Sequence, residues 1–277
     1  MLIVNAVASA LIVTSLASPA TETAYENKAE IETVRADCMK ERGLKYLPEE
    51  VMKREWTKEE RARVTGDPEA MRAYRAKYGF GVWSRLVFPK DPAVHGEGRE
   101  SRNNKHLMSL SPSRLKSYQA ADERCFAKAV KSVLGKKASS QADFLEQMGA
   151  AVDGRLRVLD QDGKLVKLGE EFASCLGVST AKPSELAERG VREFRKQSTE
   201  VARSRQTTSV PEEKLKDKDF WMWPAMKPAQ ARPYLDKEVA AALADLKCGK
   251  AFYQAYLPRA RAVQERVYQE YAIDFAL

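Results

Sequence analysis

Apolar residues recur along this chain with the period of a helix, and almost nowhere with the alternation of a strand. Ile31, Val34 and Cys38 share one helical face, and Gly43 follows where a left-handed C-cap is wanted, before an extended exit from Leu44 to Pro48. Thr57-Lys-Glu-Glu60 has capping-box spacing, and the helix it opens ends near Gly66. Asp67-Pro68 starts another, in which Met71, Tyr74 and Tyr78 keep one face. Tyr78-Gly-Phe80-Gly-Val-Trp83 then breaks into an extended aromatic island, and the polar, glycine-bearing run 88–107 has no period, which predicts a mobile surface loop.

Ser111-Pro112 opens the clearest helix, with Leu115, Tyr118, Cys125, Phe126, Ala129 and Val133 in its stripe and Gly135 as its stop. Phe144, Leu145 and Met148 mark the next; Leu165, Leu168, Phe172 and Cys175 mark a third that ends at Gly177. Pro183 begins a helix through Leu186, Val191 and Phe194, after which 203–218 reads as a linker or exposed loop. A second aromatic island, Phe220-Trp221-Met-Trp223-Pro224, precedes helical spacing from Tyr234 to Phe252, an interruption at Pro258 and a last amphipathic helix through Val263, Val267 and Tyr271. The expected fold is mainly α, with little or no β-sheet.

Met1 to Ala20 is uncharged and apolar, and Ser18-Pro19-Ala20 offers small residues to a signal peptidase, so residues 1–20 are expected to be a signal peptide. The run is short for a membrane anchor and rich in Ala, Ser and Thr, and no membrane span is expected once it is removed. Export changes how the four cysteines are understood. Cys38, Cys125, Cys175 and Cys248 are too far apart for a Cys-x-x-Cys redox or metal motif, and in an oxidising compartment they become structural disulfides. Four cysteines permit three pairings. Cys38 with Cys125 and Cys175 with Cys248 is preferred here, because each bond then ties an early helix to a later one within one half, 21–137 or 138–277, the two stapled halves packing together.

The formal net charge of +8 favours an anionic partner: a phosphate-rich wall polymer, a glycan, anionic lipid or an acidic protein. Nucleic acid is disfavoured, since no recognition motif accompanies the charge. Catalytic parts are scarce. The two histidines, His95 and His106, lie in the predicted loop with Glu97 and Glu100, where nothing rigid would hold a metal, so no metal or other cofactor is implied. Asp160-Gln-Asp162-Gly163 imitates part of a calcium loop, but Val158 and Gly169 then stand where carboxylates are required. Neither a Gly-x-Ser-x-Gly elbow nor a phosphate-cradling glycine loop occurs. Glu59-Glu60 and Glu170-Glu171 are adjacent carboxylates, which on a helix point about 100° apart and make poor acid/base couples.

The segments Cys38-Met-Lys-Glu-Arg-Gly43-Leu-Lys-Tyr46, Lys77-Tyr-Gly79-Phe-Gly81, Leu110-Ser-Pro112, the helices of Cys125 and Cys175, and Asp245-Leu-Lys-Cys248 occur in a telling order. That order resembles a group of secreted or lipid-anchored helical proteins of actinobacteria with no established activity. The resemblance implies export, a helical body and two disulfides. Cys175 lacks the Met-x-x-x-Gly-x-Tyr run that follows Cys38.

These features together predict an exported, non-enzymatic binding protein of the cell envelope or extracellular space. Tyr78, Phe80, Trp83, Trp221 and Trp223 are the residues expected to touch its partner, because aromatic rings stack on sugars and Lys77, Arg85, Lys216, Lys218 and Lys227 flank them. The same rings would alternatively wedge helices together. A wall-glycan hydrolase working through carboxylates, or a secreted inhibitor or toxin-associated subunit, are the other functions considered.

Overall fold

A computed structural model of the chain describes residues 19–51, 56–96, 100–179, 181–205 and 221–273. The fold is mainly α: among the described residues there are helices and no strands. The segment 1–18 lies outside them, and with it most of the expected signal peptide. No helix among the described residues is long and apolar enough to cross a membrane.

In chain order the helices are α1 (Pro19–Glu41), α2 (Lys58–Val64), α3 (Pro68–Tyr78), α4 (Ser84–Val87), α5 (Pro92–His95) and α6 (Asn104–Met108). They continue with α7 (Pro112–Leu134), α8 (Gln141–Leu156), α9 (Gly163–Leu176), α10 (Pro183–Ser204) and α11 (Pro228–Glu270). Local signals in the sequence explain most starts. The Thr57–Glu60 capping box is formed in both directions, and Asp67, Ser140 and Asp162 each accept a backbone N–H of the first turn.

α11 is the spine, about 65 Å long at the standard rise for its 43 residues. It packs against α1, α3, α4, α8, α9 and α10. The expected break at Pro258 does not occur. Pro258 is exposed, as is Gln254, whose carbonyl the proline leaves without its helical donor. Phe252, Tyr253, Tyr256, Ala260 and Val267 meanwhile stay buried on the opposite face and hold the axis through the proline.

One core unites contributions from both sides of residue 138: Ile31, Met71 and Phe126 share it with Phe144, Phe172, Leu246 and Tyr271. The disulfides are Cys38–Cys125 and Cys175–Cys248, each with its Cα atoms 5.5 Å apart, the first joining α1 to α7 and the second α9 to α11. They differ in setting. Cys38 and Cys125 are buried beside Met39, Tyr118 and Ala121, whereas Cys175, expected on an inner face, is exposed.

The run 88–107 is also more structured than its composition suggests, since it contains α5 and α6. Asp91 caps α5 by accepting the Ala93 N–H. Buried Asn103 pairs with the extended 44–51 segment as a neighbouring strand would, its amide accepting from Leu47 N and donating to Leu47 O, both at 2.8 Å. Glu49 closes the clasp by accepting from Ser101 Oγ and Asn103 Nδ2.

Candidate functional site

The two aromatic islands do meet, but largely inside the protein. Gly79 turns with φ +63°, and a Cβ there would stand 2.7 Å from Glu238 Cγ, so only glycine lets the backbone fold over that side chain. The Glu238 carboxylate on α11 is wholly buried and accepts the N–H groups of Val82 at 2.9 Å and Trp83 at 2.8 Å, with those of Phe80 and Gly81 also directed at it. Burial pushes its pKa up to about 7, outweighing the opposing pull of the backbone donors.

Trp83 has no exposed surface; it stacks on Tyr234 at 4.3 Å and donates Nε1–H to Gln197 Oε1. Tyr78 is buried too, and Phe80 packs on Phe194 while filling the space a Cβ at Gly190 would need. From the second island, Trp223 donates Nε1–H to Val82 O, and half-buried Trp221 lies edge-on to Trp223 with Arg195 over its face at 4.4 Å. As partner-binding residues, Tyr78 and Trp83 are therefore corrected to core residues: their rings are spent between helices, which leaves Trp83 no surface and Tyr78 only 7% of its own.

What the islands do is set one wall of a cavity. Trp83 immediately precedes α4, which carries Arg85, and Tyr78 donates its hydroxyl to Asp91, the cap of α5, which carries His95. Those hydrogen bonds from Tyr78 and Lys77 hold the Asp91 carboxyl below its ordinary range. Arg85 and His95 both line a cavity of about 520 Å³ that α2, α3, α10 and α11 complete. That volume is within the usual span of about 300–1,000 Å³ for small-molecule sites.

The cavity walls combine rings with charge. Trp56, Tyr74 and Tyr256 supply the rings; Arg261 lies over Trp56 at 4.6 Å and Arg63 over Tyr74 at 3.9 Å. Several polar groups are committed to neighbours: the Glu60 carboxylate accepts from Thr57 N, Glu188 pairs with Arg192, and Arg261 with Glu265. His95 Nε2 lies 3.0 Å from the Arg85 carbonyl, which assigns its proton to that nitrogen. Arg85 and Tyr256 are among the groups that remain open. The Arg85 guanidinium lies 5.4 Å from the centre of the Trp223 ring and has no ion pair among the described residues. Tyr256 is 3% exposed, and its hydroxyl makes no hydrogen bond among the described residues. Burial raises the pKa of that hydroxyl far above the ordinary tyrosine value, so it is a neutral donor at any physiological pH.

A buried ionic cluster stiffens the far side of the same walls. Asp245 accepts from Arg75 at 2.6 Å and Tyr253 at 2.7 Å, with Arg189 at 3.4 Å, joining α3, α10 and α11.

A second cavity, of about 600 Å³, lies where the end of α1 faces α6 and the start of α7. Arg42, Lys45, His106 and Arg114 line it over a floor of Leu44, Leu110, Tyr118 and Ala121. Burial lifts the Tyr118 hydroxyl to about 12, and it donates to Lys45 O.

The remaining residues singled out in the sequence are dispersed. His95 and His106 line different cavities, Glu100 accepts from Asn104, and Glu97, Lys216 and Lys218 lie outside the described residues. Among the described residues no three metal-ligating side chains come together. Asp160 and Asp162 act at helix starts, holding Ser184 and Leu165, and Glu170 and Glu171 are exposed on α9 away from both cavities. Trp56 and Tyr256 were not singled out. The only local hint was Trp56 directly before the Thr57 cap; Tyr256 looks like any core tyrosine of a long helix.

Fold and cavities together define a helical, two-disulfide protein that has an aromatic cavity and a basic cavity among its described residues. Comparison with protein families, curated proteins and solved structures finds no match to the chain.

Proposed function

We propose that this is an exported binding protein of the cell envelope or extracellular space, and that the aromatic cavity takes an acidic sugar unit of a glycan. Tyr256 carries the proposal: the residue is 3% exposed and lines the cavity, and its hydroxyl has no protein partner among the described residues, which leaves one hydrogen bond for a ligand to complete. Arg85 offers an uncommitted guanidinium for a carboxylate, and the ring walls suit the flat apolar face of a sugar. Two disulfides, with no membrane-length apolar helix among the described residues, are compatible with life outside the cytoplasm. Kinship with the secreted four-cysteine proteins of actinobacteria belongs to the same proposal.

Titration of the purified protein with a uronic acid and its short oligomers, followed by tryptophan fluorescence and calorimetry, tests it. Binding should be saturable, about tenfold weaker in Tyr256→Phe, where one hydrogen bond is lost, and weaker again in Arg85→Gln. The neutral sugar of the same ring size should bind worse than the acid. Failure of both sugars to bind, or an unaffected Tyr256→Phe variant, would overturn the assignment.

One observation favours a second function. Glu60 and Glu188, on α2 and α10, line the same cavity, so a carboxylate glycan hydrolase remains a defined alternative. Release of sugar from wall glycan that a single Glu60→Gln or Glu188→Gln change abolishes would establish it over simple binding.

A further inference from the structure

The basic cavity stands apart from the aromatic one and carries its own chemistry. Arg42, Lys45, His106 and Arg114 line it, and no Asp or Glu does. None of the three side chains Arg42, Lys45 and Arg114 makes a hydrogen bond or ion pair among the described residues, although the chain carries 39 carboxylate residues that surface cations elsewhere pair with. Lys128 with Glu41, Arg155 with Glu270 and Arg259 with Asp162 are such pairs. Three uncompensated cations around one concavity create a positive potential that draws an anion.

The floor says what else the ligand carries. Leu44, Leu110, Ala121 and the ring of Tyr118 form it, so the anion would arrive attached to something apolar. Met108, two residues past His106 on α6, is 80% exposed, the most exposed of the large apolar side chains among the described residues. Met108 does not line the cavity and, two positions from His106, leaves α6 on another face, but cations over an apolar floor beside a helix that exposes a methionine suit the surface of an anionic bilayer.

We propose that this cavity seats the phosphate of an anionic lipid headgroup, with Met108 directed toward the acyl region. The phosphate would lie among Arg42, Lys45 and Arg114, with His106 adding a donor. A soluble phosphate is the other source of the same chemistry, and the test separates the two.

Full-length protein is sedimented with vesicles of phosphatidylcholine alone and of phosphatidylcholine mixed with phosphatidylglycerol. In parallel, inorganic phosphate is titrated while the His106 ring resonances are followed. Binding to the anionic vesicles should exceed that to neutral ones, and should fall at least tenfold in the Arg42→Glu/Arg114→Glu variant. The Lys164→Glu/Lys250→Glu variant has the same net charge, from exposed positions outside the cavity, and should retain binding. Met108→Ser should weaken vesicle binding and leave the phosphate response unchanged. Equal losses in the two charge variants would overturn the proposal in favour of bulk charge. A saturable phosphate response without vesicle preference would support a seat for soluble phosphate and overturn the lipid source. The absence of both responses would overturn the site.

Discussion

The Glu238 carboxylate and the backbone N–H of Trp83 meet at 2.8 Å, and neither residue has any solvent exposure. A carboxylate from α11 thus takes up, from the other side of the core, the N–H groups of Val82 and Trp83 in the turn that leads into α4. Glu238→Ala leaves the Val82 and Trp83 donors stranded and is expected to cost about 3–5 kcal/mol. Urea denaturation measures it. Glu238→Gln, which keeps one acceptor oxygen, should lose less, and an Ala variant as stable as the parent would mean that water has taken the carboxylate's place.

The same group makes stability depend on pH. Its folded pKa, about 7, is above the ordinary carboxyl value of 4.5, so the folded state binds the proton more tightly. The stabilisation is therefore complete below about pH 4.5 and lost as pH rises through about 7, to the extent of at most about 3 kcal/mol. Tyr74, which also faces Glu238, stays neutral across this window because burial raises its hydroxyl. Unfolding free energies at several pH values should show this slope in the parent and not in Glu238→Gln. Parallel pH profiles would sink the assignment.

The helical class was legible because it depends on short-range signals: the 3.6-residue period, Asp67 and Thr57 as caps, Gly135 and Gly177 as left-handed stops; the disulfide partners, 87 and 73 residues apart, rested instead on a preference among three pairings. The cavities were not, because no segment contains one. Trp56, Arg85, His95, Glu188 and Tyr256 converge from five separate stretches, and their meeting depends on α11 running unbroken past Pro258. The aromatic islands were visible as clusters, yet clustering alone did not reveal which way the rings point. Glu238 at a helix position decided that, by drawing residues 80–83 inward.

The two disulfides should differ in how readily they are reduced. Cys38–Cys125 is buried, while Cys175 is exposed on α9, and exchange needs a thiolate to reach a sulfur. Limited dithiothreitol treatment with alkylation and peptide mapping should find Cys175 and Cys248 labelled first. Each bridge closes a long loop, of 87 and 73 residues, so removing either should cost about 4–5 kcal/mol in the chain-entropy view. Equal labelling rates would mean that local opening, and not exposure, governs access.

Trp83→Ala and Trp221→Ala have unlike expected outcomes, although both residues stand in aromatic islands of the sequence. Trp83 fills a closed space against Tyr234 and bonds Gln197, so its removal should cost about 3–5 kcal/mol. Because Trp83 adjoins α4, the loss should also displace Arg85 and weaken acidic-sugar binding even in the fraction that remains folded. Trp221 is half-buried, does not line the cavity, and its Arg195 contact is of the cation–π kind, so Trp221→Ala should cost no more than about 1–2 kcal/mol. Its sugar affinity should stay within about twofold of the parent's, a change of less than 0.5 kcal/mol. Melting curves and sugar titrations on the same preparations decide the matter. If Trp221→Ala abolishes binding while the melting temperature holds, the ligand sits on the outer aromatic surface, as the sequence first implied, and the cavity lined by Tyr256 is not the site.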